Sequence, residues 1–170
     1  MPDHPAPDHR ISDHPISDHP MFDLPPKAPP ETIEARQALA GQVIQALRQA
    51  GLPAFRDGEP TATNRAGAVV YVDPDAETAS APVSLNWRCD PAMLSAAVDS
   101  LTSGDPDAPV VRYPGIIGLH MQSALINILL SAGVIATPDS DAMNPDHVLV
   151  FGTLSDPTPT PCPTPAQETL

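Results

Sequence analysis

The sequence predicts an α+β domain of two layers, in which helices pack on one face of an antiparallel or mixed sheet. Apolar residues recur at helical spacing in three segments, and short β-branched or alternating runs lie between them. Stretches dense in proline at both chain ends break any such periodicity. The predicted order is α-β-β-β-α-α-β-β over residues 31–155, with disordered tails at 1–30 and 156–170.

The first half of the domain is predicted to contain one helix and then three strands, at 31–50, 53–56, 68–72 and 83–88. Leu39, Val43 and Leu47 form the apolar stripe of the helix, and Gly51 suits a left-handed cap after it. The third strand, VSLNWR, alternates between apolar and polar residues. This alternation places three side chains toward the core: Val83, Leu85 and Trp87.

The second half is predicted to contain two helices and a final pair of strands. Asp90 suits the N-cap of the second helix, Pro91 its first position, and Gly104 its end. The third helix is predicted over 116–132, and the last strand over 147–152. Because the second half of the third helix is apolar nearly all round, we expect this helix to be the most buried one.

Composition excludes several classes of function. With 21 acidic against 8 basic residues the formal net charge is −13, which repels phosphate backbones and argues against nucleic-acid binding. The N-terminus lacks the apolar segment of a signal peptide. The most apolar stretch, 116–130, is too short and too polar to span a membrane. Cys89 and Cys162, one in the domain and one in a tail, are poor evidence for a disulfide framework, so we expect a cytoplasmic protein. The many Ala, Pro, Asp and Arg residues with a single Lys are typical of a high-GC bacterium.

Catalytic motifs are not apparent in the sequence. Cys89 and His120 could be a nucleophile and a base, and a helix N-terminus beside Cys89 could lower its pKa. A small buried hydrophobic residue at a strand–helix junction is the favoured interpretation of Cys89. We therefore expect a protein that is not an enzyme and that has no cofactor.

The N-terminal tail repeats Asp-His with a histidine at every fifth residue, from His4 to His19. In an extended chain these histidines lie about 15 Å apart, so they cannot share one metal ion without folding back. If Met1 is removed, the terminal amine, two amide nitrogens and His4 could bind Cu(II) or Ni(II) in a square plane. His4 is therefore a metal-site hypothesis, and a flexible repeat is the favoured interpretation of the tail.

Two surfaces are candidates for partner binding. Alternation along the third strand places Asn86 and Arg88 on the sheet face away from the core, with Arg56 on a neighbouring strand. An intrachain ion pair is the favoured alternative for Arg88. The apolar third helix suggests self-association or partner binding through Ile126 or Leu130, and the competing possibility is a helix wholly inside the core.

The order α-β-β-β-α combined with acidity resembles small acidic secretion chaperones and related dimeric adaptors, over the first half of the domain. This resemblance implies a non-enzymatic cytoplasmic interaction module, an adaptor or regulator whose partner is another protein or a second copy. The alternative is a small-molecule or metal sensor that uses the sheet face or the histidine repeat. No membrane partner is expected.

Overall fold

The order of helices and strands is the predicted one. A computed structural model describes residues 25–77 and 81–154, so both predicted tails lie almost wholly outside the described residues. The helices are α1 (Pro30–Gln49), α2 (Pro91–Thr102) and α3 (Pro109–Ser131). The strands are β1 (Ala54–Arg56), β2 (Gly67–Val72), β3 (Val83–Arg88), β4 (Val134–Pro138) and β5 (Val148–Thr153).

The five strands form one mixed sheet in the order β1-β2-β3-β5-β4. β1 pairs with β2 in parallel, and every other neighbouring pair is antiparallel. β3 is central: Leu85 lies opposite Val70 on one side and opposite Val148 on the other. The parallel pair needs a longer connection than a hairpin, and the 57–66 segment between β1 and β2, which includes a short 3₁₀ turn at Pro60–Ala62, supplies it.

The core lies between the sheet and two helices. Inward side chains of α1 and α3 meet those of the strands on one sheet face, and the largest fully buried ones are Leu47, Leu85, Leu125 and Leu129. Trp87 points to this face, as its place in the alternation predicts, but it lies at the margin of the core and is only partly buried. This one-sided packing confirms the predicted two layers.

A buried arginine fixes α1 to the connection between β2 and β3. Arg36 is 8% exposed, and its Nη1 donates to the carbonyl oxygens of Asp73 at 2.6 Å and Asp75 at 2.7 Å. Because these bonds satisfy the guanidinium, the charge is tolerated near the core. Lys27, just before α1, pairs with the Asp75 carboxylate at 2.7 Å and holds the entry of the chain against the same connection.

The last two helices form an antiparallel hairpin whose first member touches little else. Asp90 caps α2 by accepting a hydrogen bond from the backbone N–H of Ala92 at 2.8 Å, as the sequence predicts. α2 packs mainly on α3, and Ala97 is its one buried residue. The expected apolar stripe of α2 is therefore largely uncovered.

α3 begins seven residues earlier than predicted. The helix starts at Pro109 and continues through Pro114, whereas the sequence pattern predicts a start at Ile116. Because Pro114 has no N–H, the carbonyl of Val110 lacks its helical hydrogen bond, and the helix continues without it. With 23 residues and a mean hydropathy of 1.3 over an 18-residue window, α3 also has the length and composition of a membrane-spanning helix, a test that core helices of soluble proteins pass too.

The two sides of α3 should respond differently to truncation. Leu125→Ala should lower the free energy of unfolding by about 2–5 kcal/mol, because Leu125 is fully buried and its removal leaves a cavity. Leu119→Ala, at a position 49% exposed, should cost less than about 1 kcal/mol. Urea unfolding of the two variants checks the difference, and equal losses would contradict the placement of α3.

Candidate functional site: a cleft beside α2 and the outer face of α3

A cleft in the described part of the chain has a volume of about 630 Å³. It lies between α2 and the segment that connects β1 to β2. One wall is α2, with the partly exposed apolar side chains of Leu94 and Val98, and the other is the 57–64 segment. Its size lies within the range of small-molecule sites, and an apolar wall opposite a polar one is typical of such sites.

Local backbone features shape this cleft. Arg88 ends β3, and the Asp90 cap with Pro91 turns the chain at once into α2, which puts Arg88 beneath the first turn of that helix. On the opposite wall Asn64 adopts a left-handed conformation with φ of 59°. Asn tolerates this conformation better than most residues, and it lets the connection turn back into β2.

Two arginines line the cleft, and both are held by backbone carbonyls. Arg88 Nη1 donates to the carbonyl of Ala62 at 2.8 Å, and Arg56 Nη2 donates to the carbonyl of Gln37 in α1 at 2.9 Å. The hypothesis that Arg56 shares the sheet face of Arg88 is wrong, because strand alternation turns Arg56 toward α1. Both residues nevertheless line the cleft.

Asn86 lies on the face predicted for it, where it joins a row of polar and aromatic side chains. Its Nδ2 is 3.0 Å from His147 Nε2, and its Oδ1 is 3.5 Å from the Tyr71 hydroxyl. The rings of Tyr71 and His147 are stacked, with their centroids 6.2 Å apart. Asn86 is thus half-buried and bonded within the chain, which leaves it little capacity to bind a partner.

Tyr71 connects this row to the cleft through its electrostatics. Burial raises the pKa of its hydroxyl, the nearby carboxylate of Asp57 raises it further, and Arg88 opposes both by lowering it. Asp57 and Arg88 both line the cleft. A change in charge at the cleft should therefore be sensed by Tyr71.

Cys89 lacks the properties of an activated nucleophile. It is 6% exposed, and its Sγ lies 3.7 Å from the carbonyl oxygen of Pro114 in α3. Burial raises the pKa of the thiol, and Asp146 raises it further. The alternative of a lowered pKa at this helix N-terminus is wrong, since burial and the Asp146 carboxylate both raise the pKa, and the residue packs as a small hydrophobic one.

The outer face of α3 is the second candidate site. The side chains of Ile116 and Leu119 are each 49% exposed and that of Leu130 is 48% exposed. The expectation that α3 is the most buried helix is wrong, because in a two-layer fold only one side of the helix meets the sheet. Leu130 lies on the outer face, and Ile126 is half-buried at its margin.

The remaining candidate is the metal site at His4, which lies outside the described residues. Within 25–77 and 81–154, no three His, Cys, Asp or Glu side chains lie close enough to hold a metal ion.

Sequence reasoning also missed the cleft, because its walls come from segments about 30 residues apart. The one signal for it was the pair of arginines in an acidic chain.

Comparison with known proteins gives no relative. No family model matches the chain, and no curated protein or solved structure is significantly similar to it.

The electrostatic coupling at the cleft predicts opposite responses from two variants. In a Tyr113→Phe background, where Tyr71 is the remaining tyrosine, the phenol should titrate above its ordinary pKa of 10.0. Asp57→Asn should lower this pKa, because a nearby negative charge is removed. Arg88→Gln should raise it, because a cation that stabilises the phenolate is lost.

Ultraviolet titration of the phenol measures both shifts. Since folding raises the pKa of Tyr71, its contribution to stability is complete below the unfolded pKa and is lost as the pH rises through the folded one. Shifts in the same direction for both variants would contradict the geometry of the cleft.

Proposed function

We propose that this domain is a non-enzymatic, cytoplasmic interaction module that binds protein through the outer face of α3. The observation that carries the proposal is the half-exposure of Ile116, Leu119 and Leu130 along one side of a single helix. Singly exposed apolar residues are ordinary, whereas a row of them on one rigid element is typical of a contact surface.

The charge distribution supports the same proposal. The chain carries a formal net charge of −13, yet α3 contains no Asp or Glu in 23 residues. An acid-free apolar face lets a partner approach without desolvating carboxylates, which is the most costly part of covering a charged surface. The raised pKa and the burial of Cys89 also favour binding over nucleophilic catalysis.

The acidity and the packing of α3 favour a protein partner over the two other macromolecular surfaces. A net charge of −13 repels nucleic acid and anionic lipid headgroups alike. α3 has the composition of a membrane span, but its inner side supplies Leu125 and Leu129 to the core. Extracting the helix into a bilayer would unfold the domain.

A photo-reactive amino acid placed at Leu119 or Leu130 tests the proposed surface. In cells that produce the full-length protein naturally, light should convert each variant into a discrete cross-linked species, because a bound partner covers these positions. The matched control is Gln45, an exposed residue of α1 that lies off the proposed face. Equal cross-linking at Gln45, or only a smear at all three positions, would reject the proposal.

A second candidate function is the sensing of a small anionic molecule in the cleft. The observation that favours it is the meeting of Arg88 and Arg56 with an apolar wall formed by Leu94 and Val98. Arg56 donates to one backbone carbonyl, and Arg88 donates to one backbone carbonyl and is hydrogen-bonded to the Tyr71 side chain. Because a guanidinium has five N–H donors, donors remain for a ligand.

Thermal unfolding in the presence of a panel of short- and medium-chain carboxylates tests the sensor. A ligand of the cleft should raise the melting temperature of the parent chain and of Leu119→Glu, but not that of Arg88→Gln, because only the last variant loses the cation of the cleft. A panel without any Arg88-dependent shift would leave the interaction module as the better function. The metal-binding alternative at His4 stays a prediction.

A further inference from the structure

We infer that the outer face of α3 binds the same face of a second copy of this chain, with the two helices antiparallel and a two-fold axis at Ser123. This inference rests on the proposed function, and it names the partner. The observations behind it are the spacing of the exposed residues, the position of one small residue among them, and the placement of charge along the helix.

The apolar row on α3 has the spacing of a coiled-coil seam. Ile116, Ser123 and Leu130 are seven residues apart, and Leu119 and Ile126 each follow three residues after one of them. This is the alternating three-and-four spacing by which one helix packs along another at a shallow angle. Leu125 and Leu129, which supply the core, lie outside this row, so the seam can be covered without disturbing the fold.

The row is also symmetric about its centre. Ser123 is exposed and lies seven residues from both Ile116 and Leu130. In an antiparallel pair with a two-fold axis at Ser123, Ile116 of each copy therefore meets Leu130 of the other. A two-fold symmetric contact requires such pairing: if residue i of one copy contacts residue j of the other, residue j of the first copy also contacts residue i of the second.

The small side chain at the centre permits the close approach that this pairing needs. Helices in contact lie about 8–10 Å apart, and small residues at the crossing point favour the lower end of that range. In this arrangement Leu119 of one copy lies opposite Asn127 of the other, with Ile126 beside it. On each side of the axis Leu119 therefore contacts one polar and one apolar side chain. Ile126 faces His120 of the other copy, so mixed contacts flank the small centre and the apolar pairs of Ile116 with Leu130 lie at the two ends.

Charge favours the antiparallel arrangement over the parallel one. Arg112 is the one formally charged residue of α3, and it stands near the start of the helix. A parallel pair would place the two Arg112 side chains together, whereas antiparallel helices separate them by about 33 Å at 1.5 Å per residue. Antiparallel helices also oppose their dipoles, and the lack of acids in α3 keeps like-charged carboxylates out of the contact itself.

Disulfide trapping in the purified full-length chain tests the pairing. In a background of Cys89→Ala and Cys162→Ser, Ser123→Cys should convert to a species of twice the mass under mild oxidation, because the two-fold axis brings the two sulfurs together. Leu130→Cys alone should stay monomeric on a non-reducing gel, since its two copies would lie about 21 Å apart. A mixture of Leu130→Cys with Ile116→Cys should cross-link.

A charge in the seam provides the second measurement. Adding Leu119→Glu to Ser123→Cys should slow disulfide formation at least about tenfold, because pairing would bury two carboxylates without partners. Circular dichroism should remain that of the parent, since Leu119 is half-exposed and glutamate is a good helix former. The matched control is Gln45→Glu, on α1, which should leave the rate unchanged.

Each other result overturns the inference in a distinguishable way. Self-linking of Leu130→Cys would mean a parallel pair. No linking of Ser123→Cys, with a discrete photo-cross-linked species of another mass at Leu119, would leave the proposed function standing with a different protein as partner. Sedimentation of the parent chain with neutral phosphatidylcholine vesicles, abolished by Leu119→Glu, would assign the face to lipid and would remove both proposals.

Discussion

Two helices cover one face of the five-stranded sheet, and the rest of the molecule is arranged around this one-sided contact. α1 and α3 supply Leu47, Leu125 and Leu129 to a core whose other half is the inward face of the strands. A helix that serves such a core can bury only the side that faces the sheet. The outer side of α3 is consequently in solvent, although it carries Ile116, Leu119 and Leu130.

The same constraint decides the position of α2. With α1 and α3 already on the sheet, α2 packs chiefly on α3 and buries only Ala97. Its apolar stripe then faces the connection between β1 and β2 across an open space, which is the cleft. The cleft is thus a consequence of having one more amphipathic helix than one sheet face can cover.

The opposite face of the sheet is covered only in part. At the β1 end Phe55 and Val69 are buried, and Arg65 lies over the Phe55 ring. Beside them Tyr71, Asn86 and His147 form a row of contacting side chains, whereas at the other end Ile135 of β4 and Phe151 of β5 are 39% and 47% exposed. Polar side chains that a strand pattern assigns to solvent are therefore largely engaged with one another.

These features give the molecule two surfaces of different chemistry. The cleft combines guanidinium groups with an apolar wall and is coupled electrostatically to Tyr71, whereas the outer face of α3 is apolar and free of acids. In a chain with a net charge of −13, the outer face of α3 stands out because the helix carries no acid, whereas in the cleft Asp57 and Glu59 accompany the two arginines. Neither surface needs the other, so a ligand in the cleft and a protein on α3 are compatible.

The sequence by itself determined the order of helices and strands, the two layers, the inward face of β3 and the Asp90 cap, because periodicity and capping are local properties of the chain. Only the tertiary structure decided that α3 begins before Pro114, that the Arg56 side chain faces α1, and that the Asn86 amide is hydrogen-bonded to His147. It also decided which apolar residues stay exposed. Periodicity shows that Leu94 and Leu119 lie on apolar faces, but burial depends on what packs against those faces, and here the sheet had room for two helices and not for three.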